Sequence, residues 1–271
     1  MDPQEKLDRL KKTLKDMHSC LVAFSGGTDS SFLLYVASGI LPRNRLLAVT
    51  ANSPTYTPRE LDSAKEFTRA ISVRHRVINT RELKDKRFTA NPANRCYFCK
   101  LELFGRLKEI AGESGLEFVI DASNASDKKD YRPGNKAKKE LGVRSPLAEA
   151  SLTKKEIRFL SRKLRLSTWD KPEQACLASR IPYGARISER ILRKVSCAES
   201  VLRRMGFKQV RLRHYDGLCR IEVPKKEIGR LINKHIQVID KLKKLGYNYI
   251  TVDLEGYRSG SMNIAVAQTK R

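Results

Sequence analysis

A short loop with two glycines, placed between a buried strand and an apolar helix, constrains this sequence more than any other feature. The loop reads Ser25-Gly-Gly-Thr-Asp-Ser30, after the apolar run 20–24 and before the apolar run 31–38. Glycines let backbone N–H groups converge on an anion, and the N-terminus of a helix adds positive potential. The loop therefore predicts a phosphate-binding site, with an ordinary glycine turn at a helix cap as the alternative.

The loop differs from the two most familiar nucleotide-binding loops. It lacks the lysine that follows the last glycine of a Walker A loop, and it does not have the spacing Gly-x-Gly-x-x-Gly. Asp29 is a negative residue within a phosphate cradle, which makes sense if it binds the Mg²⁺ of a polyphosphate. We therefore expect a polyphosphate that binds together with magnesium.

Strands and helices alternate through the first part of the chain. The pattern predicts strands at 20–24, 46–51, 74–78 and 117–120, separated by helices at 31–38, 59–70 and 100–114, with an amphipathic helix at 1–17 before them. Such alternation predicts an α/β fold with a parallel sheet, whose ligands bind beyond the carboxyl ends of the strands. The loop at Ser25 and the turn Asp121-Ala-Ser-Asn124 both follow such ends.

The organisation changes after Pro146, where a smaller α/β unit is predicted. Its elements are a helix at 153–164, an irregular stretch, a helix at 188–205, strands at 210–214 and 219–223 around a hairpin at Asp216-Gly217, a helix at 225–245 and a strand at 249–254. The boundary lies between residues 165 and 185, which gives predicted domains at 1–170 and 171–271.

Composition and charge exclude several classes of protein. With 40% hydrophobic residues the chain of 271 residues can bury a sizeable core, and its net charge is +25. Residues 151–271 carry 28 basic and 11 acidic side chains, a field that attracts RNA or phosphorylated small molecules. The apolar runs are shorter than the ~20 residues of a membrane helix, and acidic residues near the start argue against a signal peptide. We therefore expect a cytoplasmic protein.

The glycine loop resembles a known motif. Ser-Gly-Gly-x-Asp-Ser is similar to the pyrophosphate loop, or PP-loop, of the N-type ATP pyrophosphatases, among them GMP synthetase, NAD synthetase and tRNA thiolation enzymes. The resemblance implies the adenine nucleotide alpha hydrolase-like fold, cleavage of ATP to AMP and pyrophosphate, and adenylation of a carboxylate or carbonyl oxygen. It also implies that Ala51, Asn52 and Ser53 lie near adenine.

A second group of polar residues is implied near the ribose, the phosphates or Mg²⁺. Its members are Asp121, Ser123, Asn124 and Asp127. Turn formation and helix capping are the alternative for each of them, because Ser, Asn and Asp have these roles in any protein.

Longer stretches narrow the resemblance to one family. They are Asp130-Tyr-Arg-Pro-Gly134, Gly142-Val-Arg-Ser-Pro-Leu147, Ala175-Cys-Leu-Ala-Ser-Arg-Ile-Pro-Tyr-Gly184, Arg220-Ile-Glu-Val223 and Asp253-Leu-Glu-Gly-Tyr-Arg-Ser-Gly-Ser-Met-Asn263. Together with the loop they resemble LarE, the ATP-dependent sulfur transferases that help build the nickel-pincer nucleotide cofactor of lactate racemase. The resemblance implies a nucleotide-like small-molecule substrate, a C-terminal domain for substrate binding and oligomerisation, and assembly into a homo-oligomer.

The family chemistry draws attention to Cys176, which lies in a stretch without helical or strand period. Arg180 and Arg186 nearby would favour its thiolate, the reactive form, whereas a buried, inert thiol is the alternative. In the sacrificial members of the family, the cysteine that matches Cys176 gives up its own sulfur and is left as dehydroalanine.

Two further cysteines complicate the source of sulfur. Cys96 and Cys99 form a Cys-x-x-Cys pair, and Cys176 could complete a three-thiolate site for a [4Fe-4S] cluster with one open iron. Some relatives of this kind are thought to work with such a cluster. Redox thiols and structural cysteines remain alternatives for the pair.

The C-terminal unit offers candidates for the substrate. Arg211 and Arg213 alternate along a predicted strand and share a face, where they could hold the phosphate of the substrate. Glu199 and Glu222 could be acid–base or metal groups near the same site. The alternatives are a solvated strand face for the arginines and simple salt bridges for the glutamates.

A tRNA thiolation enzyme is the main alternative function. It would share the loop chemistry and the three-cysteine site, and its basic C-terminal half could bind the phosphate backbone of the tRNA. Against it, the sequence has no long Lys/Arg tract interleaved with aromatic residues and no Cys/His-rich zinc module. A non-enzymatic RNA-binding protein is a further alternative. The intact loop 25–30 argues against it, because such a protein would not need to bind ATP.

Overall fold

The computed structural model describes residues 2–129, 133–172, 175–258 and 261–263. The α-helices are α1 (Pro3–Asp16), α2 (Thr28–Ser38), α3 (Pro58–Ala70), α4 (Lys86–Thr89), α5 (Arg95–Glu113), α6 (Gly134–Glu140), α7 (Pro146–Glu149), α8 (Lys154–Lys163), α9 (Glu189–Arg204), α10 (Ile228–Asn233) and α11 (His235–Lys244). The strands are β1 (Cys20–Ala23), β2 (Leu46–Asn52), β3 (Arg74–Asn79), β4 (Phe118–Ile120), β5 (Arg211–Tyr215), β6 (Leu218–Glu222) and β7 (Tyr249–Val252).

The chain forms two compact units. The first consists of Met1–Glu82 with Asn94–Gln174, and the second of Leu83–Ala93 with Ala175–Arg271. The short segment 83–93, which carries α4, thus belongs with the C-terminal part of the chain. In the part of the chain that the structure describes, no helix combines the length and the apolar character needed to cross a membrane.

The first unit is built on a four-stranded parallel sheet in the order β3-β2-β1-β4. Cys20 of β1 pairs with Leu46 of β2 on one side and Phe118 of β4 on the other. The predicted parallel α/β fold is confirmed. The central strand is apolar and buried because helices cover both faces of a sheet of this kind.

Two hydrophobic clusters pack on opposite faces of this sheet. Alternation along β1 sends Cys20 and Val22 into the cluster with α1, α2 and α8, and Leu21 into the cluster with α5. The sheet is therefore held from both sides, and its strand ends are fixed supports for the loops that follow them.

Two helices begin earlier than the sequence predicted, and both differences concern candidate residues. The helix predicted from residue 31 begins at Thr28, so half of the glycine loop forms its first turn. The helix predicted from residue 100 begins at Arg95, so Cys96 and Cys99 lie on α5 and, three residues apart, share one side of it.

The second unit contains a three-stranded sheet in the order β5-β6-β7. β5 and β6 are antiparallel, and Asp216, with a φ of 54°, makes the tight turn predicted between them. β7 pairs parallel to β6. The long helix predicted at 225–245 is wrong: a 3₁₀ turn precedes α10, and Lys234, with φ −99° and ψ 15°, separates α10 from α11.

Candidate functional site

The glycine loop leaves β1 through a backbone turn that only glycine accommodates easily. Gly26 has a φ of +68°, and a Cβ on it would lie 3.2 Å from Cα and Cβ of Ala64. The hydroxyl groups of Ser25 and Ser30 lie 3.0 Å apart, and Ser30 also donates to the carbonyl oxygen of Gly27 at 3.1 Å. The side chains thus close the turn while α3 packs against its backbone.

The loop ends in the N-terminus of α2, an eleven-residue helix. Gly27 is its N-cap and has no side chain to accept from the first N–H groups of the helix, which lack intrahelical acceptors. The hydroxyl of Thr28 donates to the carbonyl oxygen of Thr168 at 2.8 Å, which ties this first turn to the chain after α8. Uncapped N–H groups and the helix dipole together suit a phosphate.

Asp29 occupies the first turn of the same helix. Its Oδ2 accepts from Lys154 Nζ at 2.7 Å and from Asn124 Nδ2 at 3.2 Å. Its Oδ1 is buried and has no hydrogen-bond partner among the residues that the structure describes. Burial raises the pKa of Asp29 above its ordinary value, although the Lys154 cation opposes this effect. A free carboxylate oxygen beside a phosphate site fits the ligand preference of Mg²⁺.

The turn after β4 lies against Asp29. Asn124 is buried, contacts Asp29 through its amide, and donates its backbone N–H to Asp127 Oδ2 at 3.0 Å. The structure therefore brings together the predicted residues Asp29, Asn124 and Asp127. These groups come from the carboxyl ends of β1 and β4, which are adjacent strands.

Asp121 and Ser123, which precede that turn, are engaged with Lys138. The ammonium of Lys138 donates to Asp121 Oδ2 at 3.0 Å and to Ser123 Oγ at 2.7 Å, while Ser145 Oγ donates to Asp121 Oδ1 at 2.6 Å. Burial alone would raise the pKa of Asp121, but Lys138 and the hydroxyl donors lower it below the usual range. This network matches the turn-forming alternative for these two residues.

Lys171 is a loop residue that sequence reasoning missed. Its Nζ lies 2.8 Å from the carbonyl oxygen of Gly26 and 2.8 Å from Ser63 Oγ. Burial lowers the pKa of Lys171, while Glu60 and Glu66 raise it in part. A Walker A loop has its lysine within the motif; here a lysine 145 residues further along the chain reaches the loop, so no local spacing could have revealed it.

Ser53, predicted near adenine, begins the turn after β2 and is buried. Its hydroxyl lies 2.7 Å from Thr55 Oγ1, accepts from the Thr55 N–H at 3.0 Å, and donates to Glu82 Oε1 through a short contact. Glu82 follows β3, so this turn is joined to the next strand of the sheet. Sequence reasoning missed Glu82 as well.

The six cysteines fall into two groups by exposure. Cys20 and Cys219 are buried, and burial raises the pKa of both thiols to about 12, which makes them unreactive. Cys96 and Cys197 are exposed, and Cys99 and Cys176 are partly exposed. The three cysteines predicted to bind a cluster are thus among those that an incoming metal or sulfur could reach.

The predicted three-cysteine site draws on both units. Cys96 and Cys99 belong to the first unit and Cys176 to the second. Within the described residues, no three His, Cys, Asp or Glu side chains come close enough together to hold a metal ion. The iron–sulfur site therefore remains a prediction from the sequence.

Cys176 stands at the start of a 3₁₀ turn, Leu177–Arg180, that is fixed by a buried arginine. Arg180 is 2% exposed, and its Nη1 donates to the carbonyl oxygens of Ala175 at 2.8 Å and Cys176 at 3.2 Å. Its Nε and Nη2 donate to the two oxygens of Glu199 at 2.8 and 3.2 Å. Arg180 thus holds the backbone at Cys176, while Glu199 balances its charge.

Glu199 is fully buried on α9 and receives further donors from Arg203 at 2.6 Å and the Leu212 N–H at 3.1 Å. Burial alone would raise the pKa of Glu199, but Arg180 and then Arg203 lower it below its ordinary value. Glu199 therefore stays ionised, and its contacts match the salt-bridge alternative.

Glu222 is the second fully buried carboxylate of this unit. It accepts hydrogen bonds from Nε and Nη2 of Arg213 at 2.8 and 2.7 Å, which is the bidentate geometry of a strong ion pair. It also accepts a hydrogen bond from Arg220 at 3.3 Å. Arg213 also donates to the Ser179 carbonyl oxygen at 3.0 Å and to Ser261 Oγ at 2.9 Å. These contacts connect Arg213 to the turn that follows Cys176.

Arg211, the other arginine predicted to hold a phosphate, is placed differently from Arg213. Its guanidinium lies 5.3 Å from the ring centroid of Tyr257, and its Nη1 donates to the Val210 carbonyl oxygen at 3.0 Å. Burial lowers the pKa of Arg211 and the nearby Arg180 adds to that effect, whereas Glu199 opposes it. Arg211 thus lies near a second cation, Arg180, whose charge is balanced by Glu199.

Comparison with known proteins gives the chain close relatives. It is 42% identical over 262 residues to an uncharacterised protein of Synechocystis sp., covering 96% of this chain and 97% of that protein. It is 37% identical over 254 residues to the pyridinium-3,5-bisthiocarboxylic acid mononucleotide synthase of Lactiplantibacillus plantarum, covering 94% and 92%. An uncharacterised protein of Methanocaldococcus jannaschii is 29% identical over 258 residues, with 94% and 98% covered. No protein-family model matches the chain.

Proposed function

Since the chain belongs to the LarE family of sulfur transferases, we propose that it uses ATP to convert a carboxylate of pyridinium-3,5-biscarboxylic acid mononucleotide into a thiocarboxylate. The relative from L. plantarum is named for the bisthiocarboxylic acid, and the biscarboxylic acid is its oxygen counterpart. The observation that carries the proposal is the loop 25–30, where uncapped N–H groups meet the free oxygen of Asp29.

The first step activates the carboxylate. A carboxylate oxygen attacks the α-phosphorus of ATP, the bond to the bridging oxygen breaks, and pyrophosphate leaves, so that a mixed anhydride with AMP remains. The N–H groups at the start of α2 would hold the departing pyrophosphate, with Lys171 supporting the loop from Gly26. Asp29, Asn124 and Asp127 would hold Mg²⁺, which neutralises phosphate charge when it is bound.

The second step replaces oxygen by sulfur. A sulfur nucleophile forms a bond to the acyl carbon, and AMP leaves with the electron pair of the broken C–O bond. If Cys176 is the donor, its C–S bond then breaks with loss of the α-proton, which yields the thiocarboxylate and leaves dehydroalanine in the chain. Arg180 would support this chemistry because it fixes the backbone that carries Cys176.

We propose that Cys96, Cys99 and Cys176 hold a [4Fe-4S] cluster rather than that Cys176 is consumed. Thiolates are the usual ligands of such clusters, and these three cysteines are accessible whereas Cys20 and Cys219 are buried. The cluster would supply a sulfide for transfer when it is bound.

The mononucleotide would bind in the second unit through its phosphate. We propose Arg211 and Arg213 as its ligands, with Glu222 orienting Arg213 through their bidentate pair. Glu199 would act on Arg180 in the same way. Both glutamates are then positioning residues, which suits carboxylates that are 0% exposed. Homo-oligomerisation and a cytoplasmic location stay predictions.

The proposal is tested by incubating the anaerobically purified protein with ATP, Mg²⁺ and the mononucleotide. We expect AMP and pyrophosphate to form only when the mononucleotide is present, together with a thiocarboxylate identified by mass spectrometry. Cys176→Ser should keep pyrophosphate release and lose the thiocarboxylate, whereas Cys197→Ser, at an exposed cysteine of the same unit, should keep both. Pyrophosphate release that responds to tRNA and not to the mononucleotide would favour tRNA thiolation instead.

The source of sulfur is tested by iron and sulfide analysis with intact mass after turnover. About four irons per chain, lost in Cys96→Ala, Cys99→Ala and Cys176→Ala, with unchanged protein mass after turnover, would support the cluster. Loss of one H₂S from the protein after a single turnover would show that Cys176 is consumed.

A further inference from the structure

Glu82 carries a buried carboxylate oxygen that the proposed chemistry does not use. The side chain is 2% exposed and lies just beyond the carboxyl end of β3. Oε1 accepts from the hydroxyl of Ser53, which follows the adjacent strand β2. Oε2 has no hydrogen-bond partner among the residues that the structure describes. A buried acceptor without a donor is costly, so a donor from a ligand is expected at this position.

The surroundings of Glu82 argue against a metal ion as that ligand. Glu102 is a carboxylate close enough to interact with Glu82. Its Oε1 accepts the backbone N–H of Arg81 at 3.0 Å, and its Oε2, like that of Glu82, is buried and has no partner among the described residues. Burial raises the pKa of Glu102 and the charge of Glu82 adds to this, but Arg106 and Arg81 oppose it. Two carboxylates with two arginines nearby carry little net charge, which suits a neutral donor better than a divalent cation.

The position of Glu82 indicates which neutral donor could reach it. Ligands of parallel sheets bind beyond the carboxyl ends of the strands, and the phosphate loop follows β1, next to β2. The resemblance to the PP-loop enzymes implies that the adenine of ATP lies near Ser53, so this step rests on the proposed use of ATP. The phosphates have no neutral donor. The ribose hydroxyls and the exocyclic amino group of adenine are both uncharged donors, and the amino group belongs to the part of ATP that is expected at this turn.

We propose that Oε2 of Glu82 accepts a hydrogen bond from the 6-amino group of adenine and thereby makes the enzyme select ATP over nucleotides with a 6-oxo group. Inosine triphosphate has an oxygen in place of that amino group, which would face the carboxylate oxygen without a proton between them. The base would approach Oε2 from the turn 53–57 while the hydrogen bonds of Ser53 to Thr55 and Glu82 stay in place.

Glutamine at position 82 should reverse this selection. Ser53 Oγ already accepts the Thr55 N–H, so its own proton points to residue 82 and holds the glutamine carbonyl there. The new amide NH₂ then faces the base, where it opposes the amino group of adenine and suits the 6-oxo group of inosine triphosphate. Glu82→Met provides neither a donor nor an acceptor and should abolish the preference.

The test measures equilibrium binding of ATP and inosine triphosphate by calorimetry, with pyrophosphate release assayed separately. We expect the wild type to bind ATP about 10- to 100-fold more tightly, Glu82→Gln to lose or reverse that ratio, and Glu82→Met to bring it close to one. Glu102→Gln is the matched control and should leave the ratio unchanged.

Three results would overturn the inference. They are equal affinity of the wild type for the two nucleotides, an equal loss of affinity for both in Glu82→Gln, and a ratio that changes in Glu102→Gln as much as in Glu82→Gln. The second result would mean that Glu82 only supports the turn at Ser53. Selective ATP binding without pyrophosphate release on addition of the mononucleotide would instead leave this inference intact and contradict the proposed function.

Discussion

The nucleotide loop of the first unit and the arginine–carboxylate pairs of the second unit are both rich in charge, yet they use it differently. In the loop region, Asp29 Oδ1 has no partner in the described structure, and the N–H groups that begin α2 have no side-chain cap. In the second unit, both oxygens of Glu199 and of Glu222 are bound by arginines. The carboxylate of the first region has an oxygen free for a ligand, whereas the carboxylates of the second are fully bound by arginines of the same unit.

This difference separates binding groups from positioning groups. A charged side chain that is saturated by its neighbours fixes the backbone and the cations around it, as Glu199 does for Arg180. A buried polar group with an atom that lacks a hydrogen-bond partner is a candidate for binding a ligand. The two regions should therefore respond to substitution in these two different ways.

The largest effect is expected for Glu199→Gln, which should lower the free energy of unfolding by about 3–5 kcal/mol because it leaves two arginines beside a neutral side chain. Chemical denaturation followed by circular dichroism measures this loss. Glu189→Gln, which breaks an exposed pair with Arg193, is the control and should cost less than about 1 kcal/mol. Equal stability of the two variants would contradict a structural role for Glu199.

Asp29→Asn should act on catalysis instead of stability. The amide keeps the size of the side chain but cannot bind Mg²⁺ as a carboxylate does, so pyrophosphate release should fall about 10²–10³-fold. Asp8→Asn, on the exposed side of α1, should change neither rate nor stability. A normal rate of pyrophosphate release in Asp29→Asn would mean that the free oxygen of Asp29 does not serve a ligand.

The titration of Asp29 in the protein without Mg²⁺ and nucleotide should reflect its buried position. Burial raises its pKa, so it takes up a proton at a higher pH than an ordinary carboxyl group does. Lys154→Met removes the cation that opposes this shift and should raise the pKa of Asp29 further. Carboxyl-carbon NMR of the two proteins as a function of pH provides the measurement, and a lower pKa of Asp29 in Lys154→Met would contradict the assignment.

The smallest effect is expected for Thr28→Val, which removes the hydrogen bond to Thr168 and should cost about 0.5–1.5 kcal/mol of stability. Thr89→Val is the control, because the exposed hydroxyl of Thr89 can bond to water instead. Thermal unfolding of both variants measures the loss of stability. A loss in Thr28→Val no larger than in the control would mean that this contact adds little to the loop.

The fold of the first unit could be predicted well because its information is local. Apolar runs of four to seven residues that alternate with amphipathic helices specify a parallel sheet, and strands β1 to β4 lie close to their predicted bounds. The start of α5 was missed because Asn94, its N-cap, makes no side-chain hydrogen bond to the helix. The break at Lys234 was missed because no glycine or proline marks it.

Residues of the site could be predicted only where they lie together in one sequence motif. The loop 25–30 was found because its glycines and hydroxyls are contiguous, but Lys154 and Lys171 reach it across more than a hundred residues. Glu82, which follows β3, accepts a hydrogen bond from Ser53, which follows the adjacent strand β2. The pairing of Glu199 with Arg180 depends on tertiary packing, so the sequence left both an acid–base or metal role and a salt-bridge role open.

Adenylation of the carboxylate requires that one of its oxygens passes to AMP when sulfur replaces it. The mononucleotide is prepared with isotopically heavy oxygen in its carboxylates and incubated with the protein, ATP and Mg²⁺, and the nucleotide products are analysed by mass spectrometry. We expect one heavy oxygen in AMP and none in pyrophosphate. Heavy oxygen in inorganic phosphate with formation of ADP, or AMP without the label, would contradict adenylation of the carboxylate.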